Sequence, residues 1–208
     1  MTPARKPILG LVGAIGAGKS SVAASMTPHG AAVIDADRIG HQVLELPEVL
    51  TSLVKRWGPR VLRADGSPNR REIGGIVFPD PAERRALEAV VFPHIRQRVT
   101  EAIATAQANP EVRFIVLDAA VMLEAGWNSV CDRIVYVDAP RDVRLTRLAA
   151  RSGWNPNEVA AREASQMPPD KKLARADVVL MNDGSPDQLQ TDVNALLNRW
   201  GLVPTGSA

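Results

Sequence analysis

Ile8-Leu9-Gly10-Leu11-Val12-Gly13-Ala14-Ile15-Gly16-Ala17-Gly18-Lys19-Ser20-Ser21 is the stretch that decides the fold. Its opening residues are apolar without alternation, as in a strand buried on both faces of a parallel sheet. The Ala/Ser/Val segment that follows reads as a helix. Between them, Gly13, four residues and Gly18-Lys19-Ser20 form a P-loop in the strand-to-helix context that the motif needs. Glycines here let the backbone approach a ligand closely, so the N–H groups of Gly13 through Ser21 and the positive end of the new helix surround a polyphosphate. Lys19 adds a mobile charge for the β- and γ-phosphates. Ser20 is placed to put its hydroxyl on the Mg²⁺ that accompanies the nucleotide.

The 208 residues are 45% hydrophobic and 23% charged, which describes a soluble globular chain with one main core and room for an insertion. Arginine supplies 20 of the 25 basic residues. That bias suits bidentate contacts to phosphate, and it also fits a plain basic surface. The single cysteine, Cys131, excludes an internal disulfide framework and fits a reducing compartment. No apolar run approaches the roughly 20 residues of a membrane span. Met1 to Pro7 contain no secretory apolar region, so the expected location is the cytoplasm, with no membrane partner.

Thr27-Pro28-His29-Gly30 stops the first helix, and Ala31-Ala32-Val33-Ile34 is a second apolar run ending in Asp35-Ala36-Asp37. If the extended conformation persists, period two puts both carboxylates on one side. Ligands of open parallel sheets sit beyond the carboxyl ends of the strands, so these acids face the reacting end of a nucleotide. One caps a helix beginning near Arg38 and the other serves the chemistry, which is assigned to Asp37. From Ile39 to Ala108 the period is mostly helical, broken by the turn-rich Trp57-Gly58-Pro59 to Asp65-Gly66-Ser67-Pro68. That is too long for a simple crossover, and predicts a helical insertion carrying an acceptor pocket. Arg70 and Arg71 open its second part, as anion contacts or as solvated surface.

Phe114-Ile115-Val116-Leu117 is a third strand, followed by Asp118 in the manner of an element that holds Mg²⁺; Glu124 is a second candidate acid. Arg133-Ile134-Val135-Tyr136-Val137 is a fourth strand, and Asp138-Ala139-Pro140 leads into a helix bearing Arg141, Arg144, Arg147 and Arg151. At about 100° per residue these four fall within an arc of about 120°, either facing an anion or forming a solvated basic face. Asn155-Pro156-Asn157-Glu158 starts another helix, with Asn155 as N-cap. Two arginine-bearing helices joined by Ser152-Gly153-Trp154 read as a mobile lid that excludes water from phosphoryl transfer. Ala176 to Met181 is a last strand, and Gln188 to Trp200 a closing helix. The tail Pro204 to Ala208 is expected to be disordered.

Taken together, Gly13 to Ser21, Ile34 to Asp37, Asp65-Gly66 with Arg70-Arg71, Val77-Phe78, Leu87-Glu88, Leu123-Glu124, Arg147 and Arg151 with Gly153, Arg162, Gln166-Met167, Ala176-Asp177 and Asn182 resemble the dephospho-coenzyme A kinase family over roughly residues 8 to 200. The resemblance implies a P-loop kinase-type α/β fold: a parallel sheet flanked by helices, with a helical acceptor-binding insertion and an Arg-rich helical lid. It divides the chain into a nucleotide-binding core (1–38, 112–140 and 175–201), the insertion (39–111), the lid (141–174) and a disordered tail (202–208). The implied reaction is ATP-dependent phosphorylation of the ribose 3′-hydroxyl of dephospho-coenzyme A, with Mg²⁺ as the metal ion. Asp37 matches the base. Lys19, Arg147 and Arg151 complete the catalytic set, Asn182 joins the loop in binding nucleotide, and Ser20 holds the metal. The chain departs from the pattern at Phe92, at Ala120 to Met122, and at Arg144, where the family commonly has glutamine.

Three other classes fit less well. Asp37-Arg38-Ile39-Gly40 formally matches a GTPase switch, but it comes too soon after the loop, and no Asn-Lys-x-Asp guanine-reading motif exists. A nucleic-acid-binding ATPase would need a continuous basic footprint, whereas aromatics are 4% and the basic clusters sit in the lid and insertion. A nucleoside or nucleotide monophosphate kinase is the nearest alternative.

Overall fold

A computed structural model of the chain describes residues 5–203. Its five strands are β1 (Ile8–Gly13), β2 (Ala31–Asp35), β3 (Phe114–Asp118), β4 (Arg133–Asp138) and β5 (Val178–Met181). They form one sheet in the order β2-β3-β1-β4-β5, parallel throughout. Both β2 and β3 thus lie on one side of β1, as expected of the kinase-type sheet.

Every residue of β1 is buried. Leu9 and Leu11 pack with α1 (Lys19–Met26) and the last helix, through Val22, Ala23, Met26, Leu189, Val193 and Leu197. Each fully buried leucine or valine of this set contributes about 1.5–3 kcal/mol. Gly10 faces the other way, where an added Cβ would meet Met122 Sδ at 2.7 Å and Cys131 Sγ at 2.9 Å. Burial pushes the Cys131 thiol up to about 12, with Asp132 adding to the shift.

Two aspartates fasten the strand starts. Asp132 donates its N–H to the Ile8 carbonyl (2.8 Å), and its Oδ2 accepts the Ile8 N–H (2.8 Å). Asp177 repeats the pair on Ile134, at 2.8 and 2.7 Å. Burial works against the charge on Asp132, but the Arg5 guanidinium at 2.6 Å and the Ile8 N–H more than offset it and hold the carboxyl below its usual range.

The chain divides into two compact units, one formed by the residues up to Asp35 and from Ala102 onward, the other by Ala36–Glu101. The second holds α2 (Ala36–Val43), α3 (Pro47–Trp57), α4 (Arg70–Val77) and most of α5 (Pro81–Ala108). Asn69 caps α4 by accepting from Glu72 N–H. Glu83 on α5 accepts two bonds from Arg56 (2.7 and 2.9 Å) and one from Trp57 (2.6 Å), tying α3 to α5. Arg70 pairs with Glu45 at 3.0 Å on an exposed surface.

Helices α6 (Arg141–Ser152), α7 (Pro156–Ala164) and α8 (Pro169–Leu173) follow β4, and α9 (Pro186–Arg199) follows β5. Asn155 and Glu158 form a reciprocal capping box at the start of α7, as the sequence predicts. Helix α9 starts two residues before Gln188, because Ser185 accepts from Gln188 N–H and Pro186 suits the first helical position. Leu202 and Val203, assigned by sequence to the tail, pack on the core instead. Residues 204–208 lie outside the described residues. Among the described residues no helix is long and apolar enough to cross a membrane.

Candidate active site

Because all strands run parallel, Asp118, Asp138 and Asn182 stand together at the carboxyl edge, where β1 runs into the phosphate loop. Gly16 (φ 80°) and Gly18 (φ 90°) take left-handed backbone conformations. Crowding also requires glycine here: a Cβ at Gly16 would lie 2.9 Å from the Arg144 carbonyl, and one at Gly18 would overlap the Asn182 amide.

The loop's carbonyls turn away from its mouth and find donors behind it. The Ala17 carbonyl accepts from Asn182 Nδ2 (2.8 Å) and, at 3.5 Å, from Arg147 Nη1, which also donates to the Asn182 carbonyl at 2.9 Å. The Ile15 carbonyl accepts from Arg144 Nη1 at 3.1 Å. By contrast, the N–H groups of Gly16, Gly18, Lys19 and Ser20 make no hydrogen bond among the described residues. Helix α1 starts with no side-chain cap and no acid in its first turn. Converging donors at an uncapped helix start form a site for an anion. Lys19, half-buried, has no ion pair among the described residues, so its ammonium remains available to that anion.

Ser20 Oγ donates to Asp118 Oδ2 at 2.8 Å. Asp118 is 5% exposed and is the ladder neighbour of both Leu11 and Asp35. A hydroxyl and a carboxylate side by side are hard oxygen donors of the kind Mg²⁺ takes alongside phosphate and water. By sequence Asp118 is only a weak candidate, since many buried strands end in aspartate; its bond to Ser20 distinguishes it. Glu124, the other candidate acid, is spent elsewhere. It pairs with the buried Lys172 at 3.1 Å and accepts the Met167 N–H at 2.7 Å, while Lys172 also donates to the Ala120 carbonyl and Gln166.

One expectation needs correction. The extended conformation does not persist through Asp37: α2 already begins at Ala36, so Asp35 ends the strand and Asp37, exposed, lies in the first helical turn. The four arginines of α6 find different partners. Arg144 and Arg141 pair with Glu163 of α7, at 2.5 and 3.9 Å, and Arg147 is bonded to carbonyls. Arg151 is exposed with no polar partner among the described residues. Glu163 and the carbonyls separate like charges that the helix alone would set against each other. Sequence periodicity could not locate those partners, which lie on other elements.

A cavity of about 450 Å³ lined by Arg5, Asp132, Arg199 and Trp200 lies at the opposite edge of the sheet, by the start of β1, and is not part of this site.

The family model for dephospho-CoA kinase matches residues 7–188. A dephospho-CoA kinase of Symbiobacterium thermophilum is 45% identical, over 90% of this chain and 79% of that protein. The crystal structure of TT1252 from Thermus thermophilus superposes with a TM-score of 0.77 at 35% identity, covering 94% of this chain and 98% of that one. A dephospho-CoA kinase from Campylobacter jejuni shares the fold, with a TM-score of 0.67 at 22% identity over 94% of this chain and 97% of that one. With a match this long laid over a phosphate loop of this geometry, the chain belongs to the dephospho-CoA kinase family.

Proposed function

We propose that this chain transfers the γ-phosphoryl group of ATP to the ribose 3′-hydroxyl of dephospho-coenzyme A, the last step of coenzyme A biosynthesis. The observation that carries the reading is the family match across residues 7–188, which spans the phosphate loop, the Ser20–Asp118 pair and the lid. The O–Pγ bond to the acceptor forms as the bond from Pγ to the departing ADP oxygen breaks. The acceptor proton passes to the Asp37 carboxylate. That role rests on the resemblance and on the position of Asp37 two residues past β2.

Gly13 to Ser21 bind the phosphates through the uncommitted N–H groups, and Lys19 follows the charge of the β- and γ-phosphates. Asn182 serves the nucleotide through the loop, by holding the Ala17 carbonyl. Ser20 and Asp118 hold Mg²⁺, whose part is to neutralise charge on the phosphoryl group. Arg151 and Arg147 meet the phosphates from the lid, while residues 39–111 bind the acceptor. The cytoplasm is the setting; a lone, partly buried free cysteine fits its reducing conditions.

A coupled assay with ATP against dephospho-coenzyme A, adenosine, AMP and shikimate tests the reaction. Dephospho-coenzyme A should win by a wide margin, because only it brings remote groups whose binding can support turnover. Preference for AMP or adenosine would replace this reading with a nucleoside or nucleotide monophosphate kinase.

A further inference from the structure

The guanidinium of Arg144 serves three elements at once. Its side chain is only 11% exposed. Nε donates to the Ala139 carbonyl at 3.2 Å, just past β4. Nη1 donates to the Ile15 carbonyl of the phosphate loop at 3.1 Å and lies 2.5 Å from Glu163 Oε1 on α7. A guanidinium withdrawn from water this far is costly without a carboxylate, so Glu163 is what lets Arg144 rest against the loop. The main chain closes the same contact, for a Cβ at Gly16 would stand 2.9 Å from the Arg144 carbonyl and 3.0 Å from Leu148. Helix α6 therefore meets the loop at two consecutive residues, by side chain at Ile15 and by backbone at Gly16.

A phosphate loop turns its N–H groups toward the ligand, which requires the intervening carbonyls to turn away, and each of those needs a donor behind it. Ala17 has two, Asn182 and Arg147. Ile15 has one among the described residues, and it is Arg144.

We propose that Arg144 is a positioning residue for the phosphoryl transfer proposed above: it fixes the Ile15 carbonyl, and through Glu163 it couples the placement of α7 to the shape of the phosphate loop. A shift of α7 leaves the guanidinium without its counter-charge and releases Ile15. The loop thus registers the lid before any lid residue touches nucleotide.

A double-variant cycle tests this, using calorimetric titration with MgATP and steady-state kinetics on Arg144→Met, Glu163→Gln and the pair together. Each single variant should weaken MgATP binding and raise the KM for ATP by about fivefold or more, leaving the KM for dephospho-coenzyme A unchanged. The pair should be no worse than Arg144→Met alone, because Glu163 acts through Arg144. Wild-type MgATP affinity in Arg144→Met, or losses that add in the pair, would overturn the proposal. If Arg144→Met does not fold, Arg144→Lys takes its place under the same criteria, since lysine keeps the charge and lacks the fork. A wild-type chain that binds MgATP yet leaves dephospho-coenzyme A untouched would refute the proposed reaction, and the cycle in MgATP affinity would still decide the role of Arg144.

Discussion

Ser20 on the first turn of α1 and Asp118 at the end of β3, 98 residues apart in the chain, are joined by a 2.8 Å hydrogen bond. The hydroxyl donates to a carboxylate that is almost wholly withdrawn from solvent. A buried carboxylate beside an anion-binding loop is unfavourable unless a cation comes between them, and Mg²⁺ is that cation in the proposed reaction. Asp118→Asn keeps the shape and removes the charge. Turnover should fall about 10- to 100-fold, and saturation should need more Mg²⁺. A magnesium titration unchanged from wild type would make the pair purely structural.

Asp37 and Lys19 should fail differently. Asp37→Asn is expected to keep wild-type MgATP affinity and to lose on the order of 10²-fold or more in turnover, the scale of a positioned base. Lys19→Ala should weaken nucleotide binding as well as chemistry. Calorimetry beside kinetics separates them; normal turnover in Asp37→Asn would pass the role to Asp35 or to water.

Arg151 and Arg147 of α6 should also part company. Arg151 has no polar partner among the described residues, so Arg151→Ala should leave the melting temperature in place while cutting turnover by at least about tenfold, equivalent to ~1.4 kcal/mol. Arg147 holds the Asn182 carbonyl, so Arg147→Ala should cost turnover and also about 1 to 3 kcal/mol of stability. Thermal melts and kinetics on both variants check the contrast, and unchanged turnover in both would leave Arg151 a solvated surface charge and Arg147 a purely structural one.

Asp132 gives the acid limb of stability a defined sign. Its carboxyl is held below the usual range when folded, so its contribution is fully present above the unfolded value and disappears as pH falls through the folded one. Wild type should therefore lose stability below about pH 4, and Asp132→Asn, less stable at neutral pH, should lose less over that range. Denaturant midpoints at a series of pH values read the difference. Parallel curves would show that Asp132 does not titrate differently on folding.

The parts of this molecule legible in sequence are those set by neighbours along the chain. The loop, its flanking strand and helix, and the Asn155–Glu158 capping box all depend on residues within a few positions of one another, and all stand where the sequence puts them. The carboxyl edge is legible too, because apolar runs between helical stretches imply a parallel sheet. What the sequence conceals is pairing across distance. Nothing near Arg144 announces Glu163, and the sequence, which points both Ser20 and Asp118 toward Mg²⁺, does not announce the bond between them. The start of α2 escapes it for a different reason: Ala36 is a strong helix former, and the helix claims it before period two can run on to Asp37.

The aspartate pairs on Ile8 and Ile134 lie at the rim of the sheet away from the loop, and they act as alignment pins. A strand slipped by one residue would present the wrong face to each helix layer, and these pins oppose such a slip without using any residue of the reacting rim. The molecule therefore separates what sets its alignment from what performs its chemistry. One residue inserted after Asp118 or Asp138 should disturb only the segment that follows, whereas one inserted between Asp132 and Ile134 should slide β4 against β1 and unseat the whole sheet.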